Sequence, residues 1–325
     1  MRVRVRAALL LAFLAPACAR KPAGPALLGR LADRAAASPD VEADTRALAA
    51  FGARVTGSRA CEKGEELAAE RLHAAGLAPS FQTYDRPAGA KAEAPPRNVL
   101  ADLPGREGRR GVVLLAAHLD GVSVGEGASD DAVNVAVVLE AARTIKALAP
   151  APRRTIRFAL FTGEEQALAG STAYVGRRGA EPHALVVVFD LGSAPAKGFY
   201  MNGRKEPLRA LFLRALAPDP RFRALFGTYD VWTGSDGFPF VRLGIPVLTA
   251  FQPDPAYAAL RHTANDAVQN VNFESARRNA GLAAALAFGA ADDPEPDLPR
   301  LSAEEAAAVL ARHGISASSP GSGPP

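Results

Sequence analysis

Three apolar runs constrain the fold of this chain more than any other feature: "VVLLAAH" (112–118), "TIRFALF" (155–161) and "ALVVVF" (184–189). Runs so continuously hydrophobic suit strands buried on both faces rather than strands with one wet face. Helical patterns lie between them, and residues 131–148 place Val135, Val138, Leu139, Ala142 and Ile145 at helical spacing. Shorter β-rich runs, "SFQTYD" and "NVLADL", precede them, "GIPVLTAF" follows, and residues 272–291 read as a closing helix. Two framework helices are expected earlier, over 40–53 and 61–76, the second with Leu67, Ala68, Leu72 and Ala75 on one stripe and Gly76 as its C-cap. Strands alternating with amphipathic helices predict an α/β fold: a single domain with a mixed, mostly parallel central sheet and helices on both faces.

The ends of the chain read differently. Arg2, Arg4 and Arg6 followed by the apolar "AALLLAFLAPACA" (7–19) match a signal peptide, too short to span a bilayer as a mature helix. The protein is therefore expected to be exported, periplasmic or extracellular. Two processing routes stay open, ordinary cleavage after Ala17 or lipidation of Cys18, which would anchor a lipoprotein to the membrane. Removing those three arginines from the formal net charge of +4 leaves +1, so no basic footprint for nucleic acid remains. Cys61 has only Cys18 as a possible partner, which excludes a disulfide framework. Residues 20–39, with "RKPAGPALLG", read as a linker, 40–292 as the folded domain, and 293–325 as a tail. The tail holds one short helix opened by Ser302-Ala303-Glu304-Glu305 and ends in the unpackable "SASSPGSGPP".

Ligands in open α/β sheets gather beyond the carboxyl ends of strands, and there the chemistry is concentrated. His118 and Asp120 end the first apolar run, Glu164 and Glu165 follow the second, and Asp190 ends the third. Asp130 and Asp131 lie in the loop "LDGVSVGEGASDD", while His262 and Asp266 follow the "GIPVLTAF" strand. Acids converging in this way must be neutralised by shifted pKa values or by a cation. Two histidines with several carboxylates suit Zn²⁺; a Ca²⁺ cage uses oxygen alone, and a structural zinc site usually carries thiolates. His118, Asp130, Glu165, Asp190 and His262 are enough for two ions if Asp130 gives one oxygen to each. The chain has no HExxH and no GxSxG, which removes thermolysin-like and α/β-hydrolase chemistry.

"AHLD", "GASDDAVNVAVVLEAAR", "FALFTGEEQALAGS", "VVFDLG", "GSDGFPFVRLGIP" and "RHTANDAV" stand in the order and approximate spacing of the co-catalytic zinc aminopeptidases of clan MH. Over residues 45–290 the chain resembles that group, which also contains carboxypeptidases and glutaminyl cyclases. The resemblance implies the group's three-layer, phosphorylase/hydrolase-like sandwich and two zinc ions per chain acting on a peptide substrate. Asp130 would bridge the ions, His118 and Asp190 complete one, and Glu165 and His262 complete the other. Glu164 matches the general base that takes a proton from a metal-bridging water and returns it to the leaving amine. Asp120 matches the catalytic-site carboxylate that receives the second N–H of His118.

Departures from the group's pattern bear on the substrate. Ser235-Asp236-Gly237 stands where Ser-Asp-His is common, Arg261 where an aromatic residue often precedes the last ligand, and Val133-Asn134 where Ser-Gly is frequent. Asp236 and Arg261 are the expected substrate contacts, and the cation at 261 favours a substrate carboxylate. Asp131 is expected to serve a helix N-terminus, Asp266 a turn, a cap or a supporting carboxylate, and Trp232 and Phe238 either a specificity pocket or the core. His73, His183 and His313 carry no expected role. An exported zinc aminopeptidase is the leading function; a glutaminyl cyclase-like acyltransferase with one zinc and a non-catalytic binding lipoprotein are the alternatives.

Overall fold

The computed structural model describes residues 24–85, 93–108, 110–216 and 219–316. The signal region with Cys18, and the end of the tail from 317, lie outside them. In chain order the elements are α1 (Pro25–Ala36), α2 (Asp40–Ala49), α3 (Arg59–Ala74), β1 (Pro79–Thr83), β2 (Arg97–Leu103), β3 (Val112–His118), α4 (Val133–Leu148) and β4 (Ile156–Phe161). There follow α5 (Ala169–Arg178), β5 (His183–Val188), β6 (Gly198–Asn202), α6 (Lys205–Leu216), β7 (Phe226–Thr228), α7 (Phe238–Arg242), β8 (Val247–Phe251), α8 (Pro255–Leu260), α9 (Phe273–Asp292) and α10 (Ala303–Arg312).

The strands form one sheet in the order β1-β2-β4-β3-β5-β8-β6-β7. Its centre, β4-β3-β5-β8, is parallel, and the β1-β2, β2-β4 and β8-β6 pairs are antiparallel. This is the mixed, mostly parallel α/β sheet that the apolar runs predict. Alternation along β3 divides the core: Val113, Leu115 and Ala117 pack with α1, α4 and α9, whereas Leu114 and Ala116 join Tyr174 of α5, Phe240 of α7 and Leu310 of α10. Strand β3 is flanked by β4 on one side and β5 on the other, so the chain reverses direction across the sheet there. Such a reversal opens a crevice at the carboxyl end of the strand, and His118 is its last residue.

The linker expected over 20–39 is not what the structure shows, because Pro25–Ala36 is α1. Leu27, Leu28, Leu31, Ala32 and Ala35 recur at three- and four-residue intervals and are buried, with Pro25 in the first turn. They press on α9, where a side chain at Gly281 would meet the Ala32 carbonyl at 2.6 Å. Glycine lets the two helices approach that closely. Strands β6 and β7 and helix α6 extend the sheet beyond the elements expected from the sequence. Ser302 caps α10 with the reciprocal Glu305 contact of a capping box.

His183 is a core residue. Its Nδ1–H donates to the Glu181 carbonyl (2.8 Å) and its Nε2 accepts from the Tyr174 hydroxyl (3.1 Å). Burial pulls its pKa down to about 4. A histidine depressed in the folded state supports stability above its unfolded pKa of about 6.5 and withdraws that support as pH falls toward 4. The difference is about 3 kcal/mol at full effect. Urea unfolding across this range should show stability falling with pH, and the slope should flatten in His183→Gln.

Candidate metal centre

Strand β3 delivers His118 to the crevice, 1% exposed. Two residues on, the Asp120 carboxylate accepts from the Thr56 hydroxyl (2.9 Å) and from the backbone N–H groups of Glu164 (3.2 Å) and Glu165 (3.3 Å). It thereby ties the end of β3 to the loop after β4. Its Oδ1 lies 3.6 Å from His118 Nδ1, longer than a hydrogen bond but close enough to orient the ring electrostatically.

Asp130 occupies a single helical turn, Ala128–Ala132, whose φ/ψ at Asp130 (−127°, 82°) depart from helical values. The Asp266 carboxylate holds this turn by accepting from the N–H groups of Ser129 (2.6 Å) and Asp130 (3.1 Å). Asp266 thus caps the turn that carries Asp130. From beneath, fully buried Arg54 donates to the carbonyls of Leu119 (2.9 Å), Glu126 (2.8 Å) and Gly127 (2.8 Å), both ends of the loop between His118 and Asp130. Nothing in the periodicity around "GARVTG" marks Arg54; only a lone arginine among small residues signals it.

The two oxygens of Asp130 face different histidines. Oδ1 is 3.1 Å from His118 Nε2, and Oδ2 is 3.2 Å from His262 Nε2. Asp190, just past β5, lies 3.8 Å from His118 Nε2, and Glu165 lies 3.0 Å from His262 Nε2. His262 reaches the cluster from the end of α8 in a left-handed conformation, φ 60°. Ala167 and Leu168, beyond Glu165, are also left-handed (φ 60° and 59°). Non-glycine residues held there store backbone strain, which concentrates at functional sites.

Asp131 differs from expectation. Instead of serving the N-terminus of α4, its carboxylate accepts from the Asn134 amide (2.5 Å) and the His118 backbone N–H (3.3 Å). It joins His118, Asp130 and Asp190 in a group whose ligand atoms lie within 4.8 Å of one another, and Asp130, Glu165 and His262 form a second such group. Asn134, which stands in place of a small residue, is engaged by this acid.

The electrostatics agree with that donor set. Burial pushes Glu164, Asp131 and Asp190 above the ordinary carboxylate range and Glu165 to about 7. Asp130 moves the other way: burial raises it, but the two imidazoles together hold it below its ordinary value. Carboxylates crowded and dried to this degree fit divalent cations, which supply the missing positive charge.

Two cavities meet at this point. One, of about 330 Å³, is lined by Asp130, Glu164, Glu165, Asp190 and His262. The other, of about 360 Å³, has Tyr200, Trp232 and Phe251 in its wall, and both include Asp190, Gly234, Tyr257 and Arg261. Trp232 therefore borders a pocket, while Phe238 is core. Asp236 needs correcting as a substrate contact: it is 1% exposed and lines neither cavity, lying beneath the site where burial raises it to about 7. The adjacent Gly237 leaves no room for the histidine common in related sequences, because a Cβ there would lie 2.7 Å from Thr249 Oγ1 and 2.9 Å from Val247 Cγ1.

An α/β sheet whose switch point gathers two histidines around a shared aspartate has the donor set of a metallopeptidase. The sequence matches the model of peptidase family M28 over residues 98–287, and the chain belongs to that family. It is 29% identical to carboxypeptidase Q of Xenopus laevis over 171 residues, 52% of this chain and 36% of that protein. It is 27% identical to leupeptin-inactivating enzyme 1 of Streptomyces exfoliatus over 238 residues, 66% of this chain and 52% of that one. The chain thus spans between about a third and a half of these two relatives. Among solved structures, a peptidase M28 precursor from Shewanella amazonensis superposes with TM-score 0.73 at 17% identity, covering 85% of this chain and 98% of its own. BSAP, a zinc aminopeptidase from Bacillus subtilis, superposes with TM-score 0.66 at 17% identity, covering 83% and 98%. These likenesses establish the fold.

Gly237→Ala should destabilise the protein by about 1–3 kcal/mol through overpacking against Thr249 and Val247. Gly237→His should cost more. Thermal or urea unfolding measures both.

Proposed function

We propose that the protein is an exported zinc-dependent exopeptidase holding two ions per chain, an aminopeptidase that removes N-terminal residues from peptides. The observation that carries this reading is the division of Asp130 between His118 and His262, one carboxylate oxygen to each. His118, Asp130 and Asp190 would hold one ion, with Asp131 beside them, and Asp130, Glu165 and His262 the other. The family and the BSAP likeness support zinc, and the mixed imidazole and carboxylate donors suit it. Bound there, the ions would polarise the scissile carbonyl and acidify water. Export follows from residues 1–19 as a signal sequence.

The chain's own residues account for the rest of the reaction. Glu164 lines the cavity with its carboxylate grouped within 4.8 Å of ligand atoms of His118 and Glu165, yet it makes no hydrogen bond or ion pair with either histidine among the described residues. Its raised proton affinity, caused first by burial, suits a base that takes a proton from the attacking water and passes it to the leaving amine. Asp120 holds the backbone of both glutamates, so Glu164 and Glu165 point to different tasks from fixed positions.

Purified protein should release amino acids from aminoacyl anilides, lose that activity on chelation and regain it with Zn²⁺, and contain about two zinc per chain. Glu164→Gln should lower kcat by about 10²–10⁴-fold while retaining the metal. Unchanged turnover in that variant would overturn the assignment. One zinc per chain with cyclisation of N-terminal glutamine would replace it with an acyltransferase.

A further inference from the structure

Arg261 ends α8 immediately before His262, and its backbone N–H donates to the Tyr257 carbonyl (2.9 Å). Arg261 is partly buried and its guanidinium has no hydrogen bond or ion pair among the described residues, the acid that feels its charge being Asp190 of the metal-ligand cluster. A guanidinium carries five donors in a planar fork matched to a carboxylate, and desolvating it without an anion is costly. Arg261 also stands where the two cavities join.

The shape of that junction limits which carboxylate can arrive. The scissile bond must lie among Asp130, Glu164, Glu165, Asp190 and His262. The neighbouring cavity is aromatic: Tyr200 and Trp232 stack with ring centres 5.5 Å apart at 11°, and Phe251 lies 5.3 Å from Tyr200. Asp254, another acid on its lining, is engaged in capping α8 through the Ala256 N–H (2.9 Å). The cation therefore stands at the passage from the reaction centre, and the apolar surface lies beyond it. An acidic side chain reaching into the aromatic box would need the reverse order, with apolar stem first and cation at the far wall. A peptide's C-terminal residue has the observed order, since its carboxylate and side chain branch from the Cα bonded to the scissile nitrogen.

We infer that Arg261 binds the free α-carboxylate of the residue directly after the scissile bond, while the Tyr200–Trp232–Phe251 cavity takes that residue's apolar side chain. Resting on the exopeptidase assignment above, this makes dipeptides with an apolar or aromatic C-terminal residue the substrate class. Water's oxygen adds to the acyl carbon, the C–N bond breaks, and the proton held by Glu164 passes to the leaving amine. The leaving amine belongs to a free amino acid whose carboxylate is still paired with Arg261.

The test compares Leu-Phe with Leu-Phe-amide on the metal-loaded enzyme. The free acid should be cut with kcat/KM about 10- to 100-fold higher, mainly through KM. In Arg261→Met this acid-to-amide ratio should fall to near one, and Arg261→Lys should recover part of it. Equal rates for acid and amide in the wild type, or an unchanged ratio in Arg261→Met, would overturn the inference. So would an Arg261-dependent preference for an acidic N-terminal residue, which would make the carboxylate a side chain. Calorimetric binding of Leu-Phe and its amide to Glu164→Gln separates the two proposals. If nothing is hydrolysed but the acid binds in an Arg261-dependent way, the carboxylate site stands and the peptidase assignment falls. If peptides are hydrolysed with no such binding difference, the carboxylate site falls alone.

Discussion

The arrangement of this protein rests on a single crowded carboxylate. Asp130 sits between two imidazoles with an oxygen directed at each, inside a cluster where other acids are pushed toward neutrality by burial. Holding such a group in place requires the surrounding backbone to be tied down by charge. Arg54 does this from below by gripping three carbonyls, and Asp266 does it from the side by accepting two N–H groups. Full burial of Arg54 is tolerable only because so many acceptors meet it.

Sheet topology explains why the cluster forms where it does. Reversal of the chain across β3 leaves an open crevice at that strand's end, and the loops after β3, β4, β5 and β8 all arrive there. Asp120 then couples two of these loops through the backbone of the glutamate pair. The site is consequently assembled from segments more than 140 residues apart, each lying on or close to the end of a strand or helix.

Much of this was legible before the structure. The central strands, α4 and α9 follow from apolar runs and helical spacing, and residues at strand ends together with those in the intervening loops pointed to His118, Asp130, Glu165, Asp190 and His262 as a group. Features that depend on tertiary placement were not legible. Helix α1 lies in a proline- and glycine-rich stretch whose leucines make sense only against α9. The role of Arg54 depends on three carbonyls that no pattern brings together, and Asp131 caps no backbone N–H of α4 because that helix's Asn134 side chain and the His118 backbone N–H engage its carboxylate. Asp236 is expected at the substrate from its place in the motif, yet the fold leaves it 1% exposed beside a Gly237 packed close to Thr249 and Val247.

The two histidines are not equivalent in depth. His118 is sealed at the end of a central strand, whereas the side chain of His262 is 38% exposed at the tip of a strained turn. Cations at the two positions would therefore exchange with solvent at different rates. A group held by His262 would thus lie nearer solvent than one held by His118. On the proposed two-ion reading, a chelator would therefore reach the His262 side of the cluster before the His118 side.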